Sequence, residues 1–256
     1  EGWAITANGE TIGSNDGDSG IAGHWDSVSA SDHSATWHSD SSWNGLDVSM
    51  TYDTPGTDQL INGTVTITNS SSDPVTGVAY RRGVDPDNCV MDRLAAGGGY
   101  GPYGPYGGGV NPYQTLNTIW SQYGLGGAAI SVITAEASCN NETMISLSSP
   151  DKGSRVGVKN ADWARSSNPF DLLNSDGSDY TVGIGDVVDS DEDINVAIPA
   201  NPDFDNTIQP GDSVTLHFTY SLSKPALKTL GVPDLAPPRI TDKPSALANS
   251  ADGSFD

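Results

Sequence analysis

The sequence is poor in positive charge. Eleven Lys and Arg residues stand against 33 Asp and Glu residues, and the formal net charge is −22. A surface this acidic repels phosphate backbones and anionic lipids, so we expect neither nucleic-acid binding nor peripheral membrane binding. No apolar run approaches the roughly 20 residues of a membrane helix, so we expect no membrane insertion. The chain starts at Glu1 instead of Met, and we interpret it as the mature form or a piece of a secreted, extracellular or cell-surface protein.

Glutamate is scarce even among the acids. Five of the 33 acidic residues are Glu, and the other 28 are Asp. Asp competes for backbone hydrogen bonds and prefers turns, whereas Glu is well tolerated in helices. The 30 Gly and 16 Pro residues favour turns as well. The composition therefore indicates a loop-rich β protein.

Cysteines and catalytic motifs are few. Cys89 and Cys139 are the two cysteines of the chain, and we predict a disulfide between them. It would close a loop of about 50 residues and stabilise the fold by roughly 4 kcal/mol on the entropy model. The alternative is two buried thiols. The sequence contains no nucleophile elbow, no phosphate-binding loop and no dinucleotide fingerprint, so we nominate no catalytic residue.

Alternation of apolar and polar residues is the dominant pattern. Residues 46–52 and 214–222 alternate without error, as strands with one buried and one solvated face do. Turn residues separate these from the other predicted strands, which are 60–69, 75–84, 128–136, 143–148, 155–159, 180–188 and 193–198. We predict an all-β fold over residues 1–223: a single antiparallel β-sandwich domain with long Asp-rich loops and one or two short helices.

Helical and irregular segments are predicted in four places. Leu116, Ile119, Trp120 and Tyr123 follow the spacing i, i+3, i+4, i+7, which predicts a helix over 112–123. A second short helical turn is predicted at 169–174. Residues 95–109 carry a GPY repeat and are expected to form a mobile loop. Residues 224–256 are Pro-rich and are interpreted as a C-terminal linker or extended arm.

Asp and Asn residues cluster in five places, and four of these supply the predicted calcium ligands. Ca²⁺ binds six to eight oxygens, and carboxylates two residues apart on a bent loop can converge on one ion. In residues 189–193, four carboxylates lie within five positions, and a bound cation would offset their repulsion. The predicted metal ligands are Asp85, Asp87, Asn88, Asp176, Asp179, Asp186, Asp189, Asp191, Asp193, Asp203 and Asp205.

Two alternatives to calcium stay open from the residues. The acids could form a solvated surface of the kind found in proteins from salty habitats, although such surfaces would be expected to use Glu as freely as Asp. None of the clusters matches the 12-residue EF-hand loop. The second alternative is a zinc site among the four histidines (His24, His33, His38 and His217). They lack the spacing of a zinc helix, and the interpretation we favour for them is solvated or hydrogen-bonded side chains.

Arg81 and Arg82 are candidate ligand-binding residues. They end a predicted strand in a chain with only 11 basic residues, and alternation sends them to opposite faces. One guanidinium can pair with a nearby Asp while the other is offered to a ligand carboxylate. Tyr103 and Tyr106 of the GPY loop are predicted to form an aromatic rim. The six tryptophans are interpreted as core or sheet cover in preference to a sugar platform.

Part of the sequence resembles a known family. Residues 44–88, which include NGTVTITNSSSDPVTGVAYRRGVDPDN, resemble the peptide-binding β-sandwich module of giant calcium-dependent adhesins of the RTX type. NPFDLLN (168–174) and QPGDSVTLHFTYSLS (209–223) fall where that module has similar segments. The resemblance implies a calcium-rich β-sandwich that grips a protein or peptide end. It implies that Asp85, Asp87 and Asn88 form a metal or ligand loop.

The predicted function is therefore a calcium-stabilised extracellular adhesion module that binds a protein or peptide without catalysis. One alternative is a structural subunit of a filament or surface layer, assembled by strand addition through the 224–256 arm. A second alternative is a calcium-dependent carbohydrate-active enzyme, for which aromatic residues and many carboxylates are the support.

Overall fold

The computed structural model describes most of the N-terminal and central chain but not all of it. The described residues are 2–14, 25–39, 43–56, 59–84, 86, 117–125, 128–137, 144–160, 168–174, 187–188 and 192–230. The strands are β1 (Gly2–Ala7), β2 (Glu10–Ser14), β3 (Trp25–Ala30), β4 (Ser34–Ser39), β5 (Leu46–Asp53), β6 (Leu60–Asn69), β7 (Ala79–Val84), β8 (Asn117–Leu125), β9 (Ala128–Ala137), β10 (Met144–Ser149), β11 (Arg155–Asn160), β12 (Val187–Val188), β13 (Glu192–Pro199) and β14 (Ser213–Ser221). The helices are α1 (Pro169–Leu173), α2 (Lys224–Thr229) and a 3₁₀ turn (Pro202–Phe204).

These strands form two sheets in which all neighbours are antiparallel. The smaller sheet has the order β11-β13-β7-β1-β2, and the larger has the order β12-β8-β9-β10-β14-β6-β5-β4-β3. Buried residues of both sheets belong to one hydrophobic core, so the sheets pack face to face. The predicted all-β antiparallel sandwich with short helices is confirmed. None of the described helices is long and apolar enough to cross a membrane.

Period-two alternation decides which side chains enter the core. Leu46, Val48 and Met50 of β5 are buried, and the residues between them are half-buried. In the smaller sheet, Ile194, Val196 and Ile198 of β13 face the same core. The residues between these three face the other side of the sheet, where α1 packs on β13. The smaller sheet is therefore covered on both faces.

The predicted helix over 112–123 is wrong for residues 117–123, and residues 112–116 lie outside the described residues. Residues 117–125 form β8, which pairs with β9 from Asn117↔Ala137 to Leu125↔Ala128. The segment NTIWSQY is rich in Thr, Ile, Trp and Tyr, which fit a pleated sheet, and its apolar residues happen to fit a helical spacing too. The backbone pairing with β9 shows that the segment is an extended strand and not a helix. The predicted helical turn at 169–174 is present as α1.

The sequence also carried a hairpin signal that the prediction missed. Asn8 and Gly9 connect β1 to β2, with φ values of 51° and 81°. Two central residues with positive φ match the type I′ turn, which Asn-Gly favours because its twist suits the strands on either side. The hairpin brings Trp3 and Ile5 to the inner face of the smaller sheet, beside β7.

The described start of the predicted C-terminal arm is helical. Ser223 caps α2 by accepting a hydrogen bond from the Ala226 backbone N–H at 3.3 Å, and Pro225 lies in the first turn, where a missing N–H costs nothing. Ala226 is buried against the sandwich. The chain from residue 231 onward lies outside the described residues.

Candidate functional site

A cavity of about 510 Å³ opens at one end of the sandwich, between the two sheets. It lies where β5, β7 and β14 end and β1 and β6 begin, as the positions of its lining residues in these strands show. The lining residues are Trp3, Trp37, Met50, Tyr52, Ile61, Arg82 and Tyr220. Its volume falls within the range of about 300–1,000 Å³ that is usual for small-molecule sites.

Aromatic rings form most of the cavity wall and are held by contacts with one another. Trp37 and Tyr52 meet edge to face with centroids 5.3 Å apart, and Tyr52 meets Phe218 in the same way at 5.8 Å. Phe218 lies beneath the wall, perpendicular to Tyr220 at 5.7 Å and stacked on Tyr80 at 5.7 Å. Contacts of this kind favour particular ring orientations, so neighbouring rings hold the aromatic side chains of the wall in place.

Arg82 supplies a positive charge to the cavity wall. The residue is 4% exposed, and its Nε donates a hydrogen bond to the Tyr220 hydroxyl oxygen at 2.5 Å. The guanidinium carbon lies 5.3 Å from the Tyr52 ring centroid, 5.7 Å from that of Phe218 and 5.8 Å from that of Tyr220. Three rings and a hydroxyl group therefore fix the position of this cation.

Arg81 lies on the opposite face of the smaller sheet and does not line the cavity. It is fully buried, and its Nε donates to Asn195 Oδ1 at 3.2 Å. The Asn195 amide in turn donates to the Asp193 carbonyl oxygen at 3.0 Å. The helix α1 packs over this face, where Leu172 contacts Ala197. The geometry gives Arg81 a structural place beneath α1 and leaves the cavity to Arg82.

Most of the other predicted site residues lie outside the described residues. These are Tyr103, Tyr106, Asp85, Asp87, Asn88, Asp176, Asp179, Asp186, Asp189, Asp191, Cys89 and Cys139. Of the predicted metal ligands that are described, Asp193 is 3% exposed, and Asp203 binds Lys152 Nζ at 2.5 and 2.8 Å. Asp205 occupies a left-handed backbone position with φ 50°. Within the described ranges, no three His, Cys, Asp or Glu side chains come together to hold a metal ion.

Calcium binding stays a prediction for the Asp clusters, and chelation tests it. We expect removal of calcium to lower the melting temperature by about 5–10 °C, since a ligand at 100 times its Kd contributes about 2.7 kcal/mol. The measurement is thermal unfolding with EDTA, with calcium restored, and with NaCl at matched ionic strength. An unchanged melting temperature, or full recovery with NaCl alone, would show that the acids are a solvated surface.

His217 and Asp151 form a separate pair on the outer face of the larger sheet. The Nδ1 of His217 lies 3.1 Å from Asp151 Oδ1, and its backbone N–H donates to Asp151 Oδ2. The imidazole is half exposed. His33 and His38 are also exposed, and His24 lies outside the described residues. The pair fixes the turn at Asp151 against β14.

The comparisons with known proteins concern the fold alone. No family model matches the sequence, and the search of curated proteins gives no match. A putative aldose 1-epimerase from Escherichia coli K12 aligns over 86% of this chain and 78% of its own, at 10% identity and a TM-score of 0.40. A putative aldose 1-epimerase from Klebsiella pneumoniae aligns over 80% and 55%, at 13% identity and a TM-score of 0.38. A putative kojibiose phosphorylase from the human microbiome matches 86% of this chain at 8% identity and a TM-score of 0.39, and the chain spans 21% of its length.

These comparisons correct two predictions. The matched proteins are described as sugar epimerases and a phosphorylase, which contradicts the predicted non-catalytic adhesion module for a protein or peptide ligand. They also contradict the prediction that the protein is not an enzyme. The carbohydrate-active alternative agrees with them better. TM-scores of 0.40 and below assign no substrate or reaction to this chain. The resemblance to adhesin modules, the disulfide and the secreted location stay predictions.

Proposed function

We propose that the protein is carbohydrate-active and that the aromatic cavity is where it holds a sugar. The observation that carries this proposal is the wall built from Trp3, Trp37, Tyr52 and Tyr220 around a cavity of about 510 Å³. A pyranose ring has an apolar face of C–H groups and a rim of hydroxyl groups. Flat aromatic rings match the apolar face, and the phenol and indole donors match the rim.

The position of the cavity suits an extended substrate. It opens at the end of the sandwich and is lined by residues from six strands, so its shape is set by the sheets and not by a single loop. The inner face of the larger sheet continues through β5 and β4, which carry Tyr52 and Trp37, toward its edge strand β3. A sugar chain can therefore enter along this face. The proposal assigns no acid and no base.

A tryptophan substitution tests the proposal. We expect Trp37→Ala to weaken sugar binding at least tenfold, which is about 1.4 kcal/mol, because one aromatic ring of the cavity wall is lost. Trp37→Phe should retain most of the affinity. Isothermal titration with a panel of neutral and acidic mono- and oligosaccharides measures the binding, and product analysis of the same panel reports turnover.

A matched control removes an aromatic ring far from the cavity. Phe204 is 71% exposed in the turn after β13, at the opposite end of the sandwich, so Phe204→Ala should leave sugar binding unchanged. Wild-type protein that binds no sugar of the panel, or equal losses in the Trp37 and Phe204 variants, would contradict the proposed function.

A further inference from the structure

We infer that Asn62 is a site of N-linked glycosylation on the outer face of the larger sheet. Asn62, Gly63 and Thr64 form the acceptor sequence Asn-X-Thr of this modification, in which X is any residue except Pro. Residues two apart in a strand share a face, so the Asn62 amide and the Thr64 hydroxyl group lie on the same side of β6. The inference is separate from the proposed function. It depends on the predicted secretion of the protein, because this modification is made on exported chains.

The hydrogen bonding of Asn62 leaves its reactive atom available. The residue is half-buried, and its Oδ1 accepts from the Thr219 hydroxyl group at 3.2 Å. Within the described part of the chain, no group accepts a hydrogen bond from Asn62 Nδ2. Nδ2 is the atom that carries the sugar in an N-linked glycan, and it has two hydrogens, of which glycosylation replaces one. A sugar can therefore be attached while the bond from Thr219 is kept.

A second acceptor sequence, at residues 69–71, lies where the structure excludes a glycan. Asn69 is fully buried, and its Nδ2 donates to the carbonyl oxygens of Asp73 at 2.8 Å and Ile208 at 2.9 Å. A sugar in place of either hydrogen would break one of these bonds and would need space that a packed interior does not have. The folded protein is therefore expected to carry a sugar at Asn62 and none at Asn69.

The position of Asn62 keeps an attached glycan away from the core and from the cavity. Alternation directs its neighbour Ile61 to the inner face, where it lines the cavity. Asp53 and Thr219, which pair with Asn62 on the two adjacent strands, are both polar. The bulky and hydrated glycan therefore lies over a polar face of the sheet, and the aromatic cavity stays open.

The modification needs a glycosyl donor and neither an oxidant nor a reductant. A bond forms between C1 of the sugar and Nδ2 of Asn62, and the bond between C1 and a phosphate oxygen of the donor breaks. The phosphate group leaves with the bonding electrons, and the amide loses one proton to water. The donor therefore belongs to the class of lipid-linked glycosyl phosphates.

The first test is mass spectrometry of the wild-type protein, isolated from the cells that produce it. Cleavage before Asp releases residues 58–72 as one peptide, which contains both Asn62 and Asn69. We expect this peptide to carry a sugar chain, and electron-transfer fragmentation to place it on Asn62. An unmodified peptide, a sugar on Asn69 or a sugar on a hydroxyl group instead would overturn the inference. A third acceptor sequence, at residues 141–143, lies outside the described residues and falls in a different peptide.

The second test uses variants made in the same cells. Asn62→Gln and Thr64→Val should each reduce the mass of the peptide to its unmodified value, and Thr64→Ser should keep the sugar because it keeps the hydroxyl group. Thr66→Val is the matched control, since Thr66 is also half-buried on the outer face of β6 but lies outside the acceptor sequence. A sugar retained in Thr64→Val, or lost in Thr66→Val, would overturn the inference. If a variant fails to fold, the wild-type peptide decides the question.

Discussion

Replacing Gly63 with Ala is expected to lower the free energy of unfolding by about 3 kcal/mol, because the site has no room for a methyl group. A Cβ built at Gly63 would lie 2.1 Å from Cζ of Phe218 and 2.4 Å from each of its two Cε atoms. The two residues are direct cross-strand partners in β6 and β14. Phe218 is fully buried and stacked on Tyr80 at 5.7 Å, so the ring has no free space to move into. Urea unfolding of the variant and the wild type measures the loss.

A neighbouring substitution and a double variant complete this test. Thr64 follows Gly63 in β6 and belongs to its outer, half-exposed face, so Thr64→Ala should cost less than about 1 kcal/mol. Phe218→Leu removes the part of the ring that a Cβ would meet. Its cost should therefore be smaller in the Gly63→Ala background than in the wild type. If the losses of unfolding free energy of the two single variants simply add in the double variant, the Phe218 ring and a methyl group at position 63 do not compete for the same space.

Local sequence predicted the strands well where one face is buried. The 60–69 segment is β6 at its full length, and the 46–52 and 214–222 segments are β5 and β14 to within one residue. In these strands every second side chain is buried, so the alternation of apolar and polar residues in the sequence directly reflects the alternation of buried and exposed positions. In 112–123 the apolar residues satisfy both a helical and an extended interpretation. Only pairing with β9, which local periodicity does not show, distinguishes the two.

The cavity could not have been predicted from spacing. Trp3, Tyr52, Arg82 and Tyr220 come from four strands far apart in the sequence, and they meet only because β1 and β7 pack over β5 and β14. Alternation did place Arg81 and Arg82 on opposite faces. The alternation does not show which of the two arginines faces the aromatic cavity, because both are buried in the structure. That difference depends on α1 covering one face and the larger sheet covering the other.

Replacing Asn69 with Asp is the second change with a large expected effect. Asn69 ends β6, is fully buried and uses its whole amide group: Nδ2 donates to the carbonyl oxygens of Asp73 at 2.8 Å and Ile208 at 2.9 Å, and Oδ1 accepts from the Ser71 N–H at 2.9 Å and hydroxyl at 2.7 Å. An Asp of the same shape would turn a carboxylate oxygen toward two carbonyl oxygens. A buried charge without a donor on that side costs about 3–5 kcal/mol.

The cost of Asn69→Asp should depend on pH in a defined direction. Burial and the two carbonyl oxygens raise the pKa of the introduced carboxyl group above its unfolded value of about 4, because both disfavour the charged form. The folded variant then holds a proton that the unfolded chain releases, so its stability relative to the wild type falls as pH rises from about 4 to 7. The measurement is the difference in unfolding free energy between variant and wild type at pH 4.5 and 7.5.

Asn62→Asp is the control, since the side-chain oxygen of Asn62 accepts a hydrogen bond from the Thr219 hydroxyl group at 3.2 Å and a carboxylate oxygen can do the same. Equal losses in the two variants, or a difference that does not narrow in acid, would mean that the Asn69 amide hydrogens do not hold the Asp73 and Ile208 carbonyl groups in place.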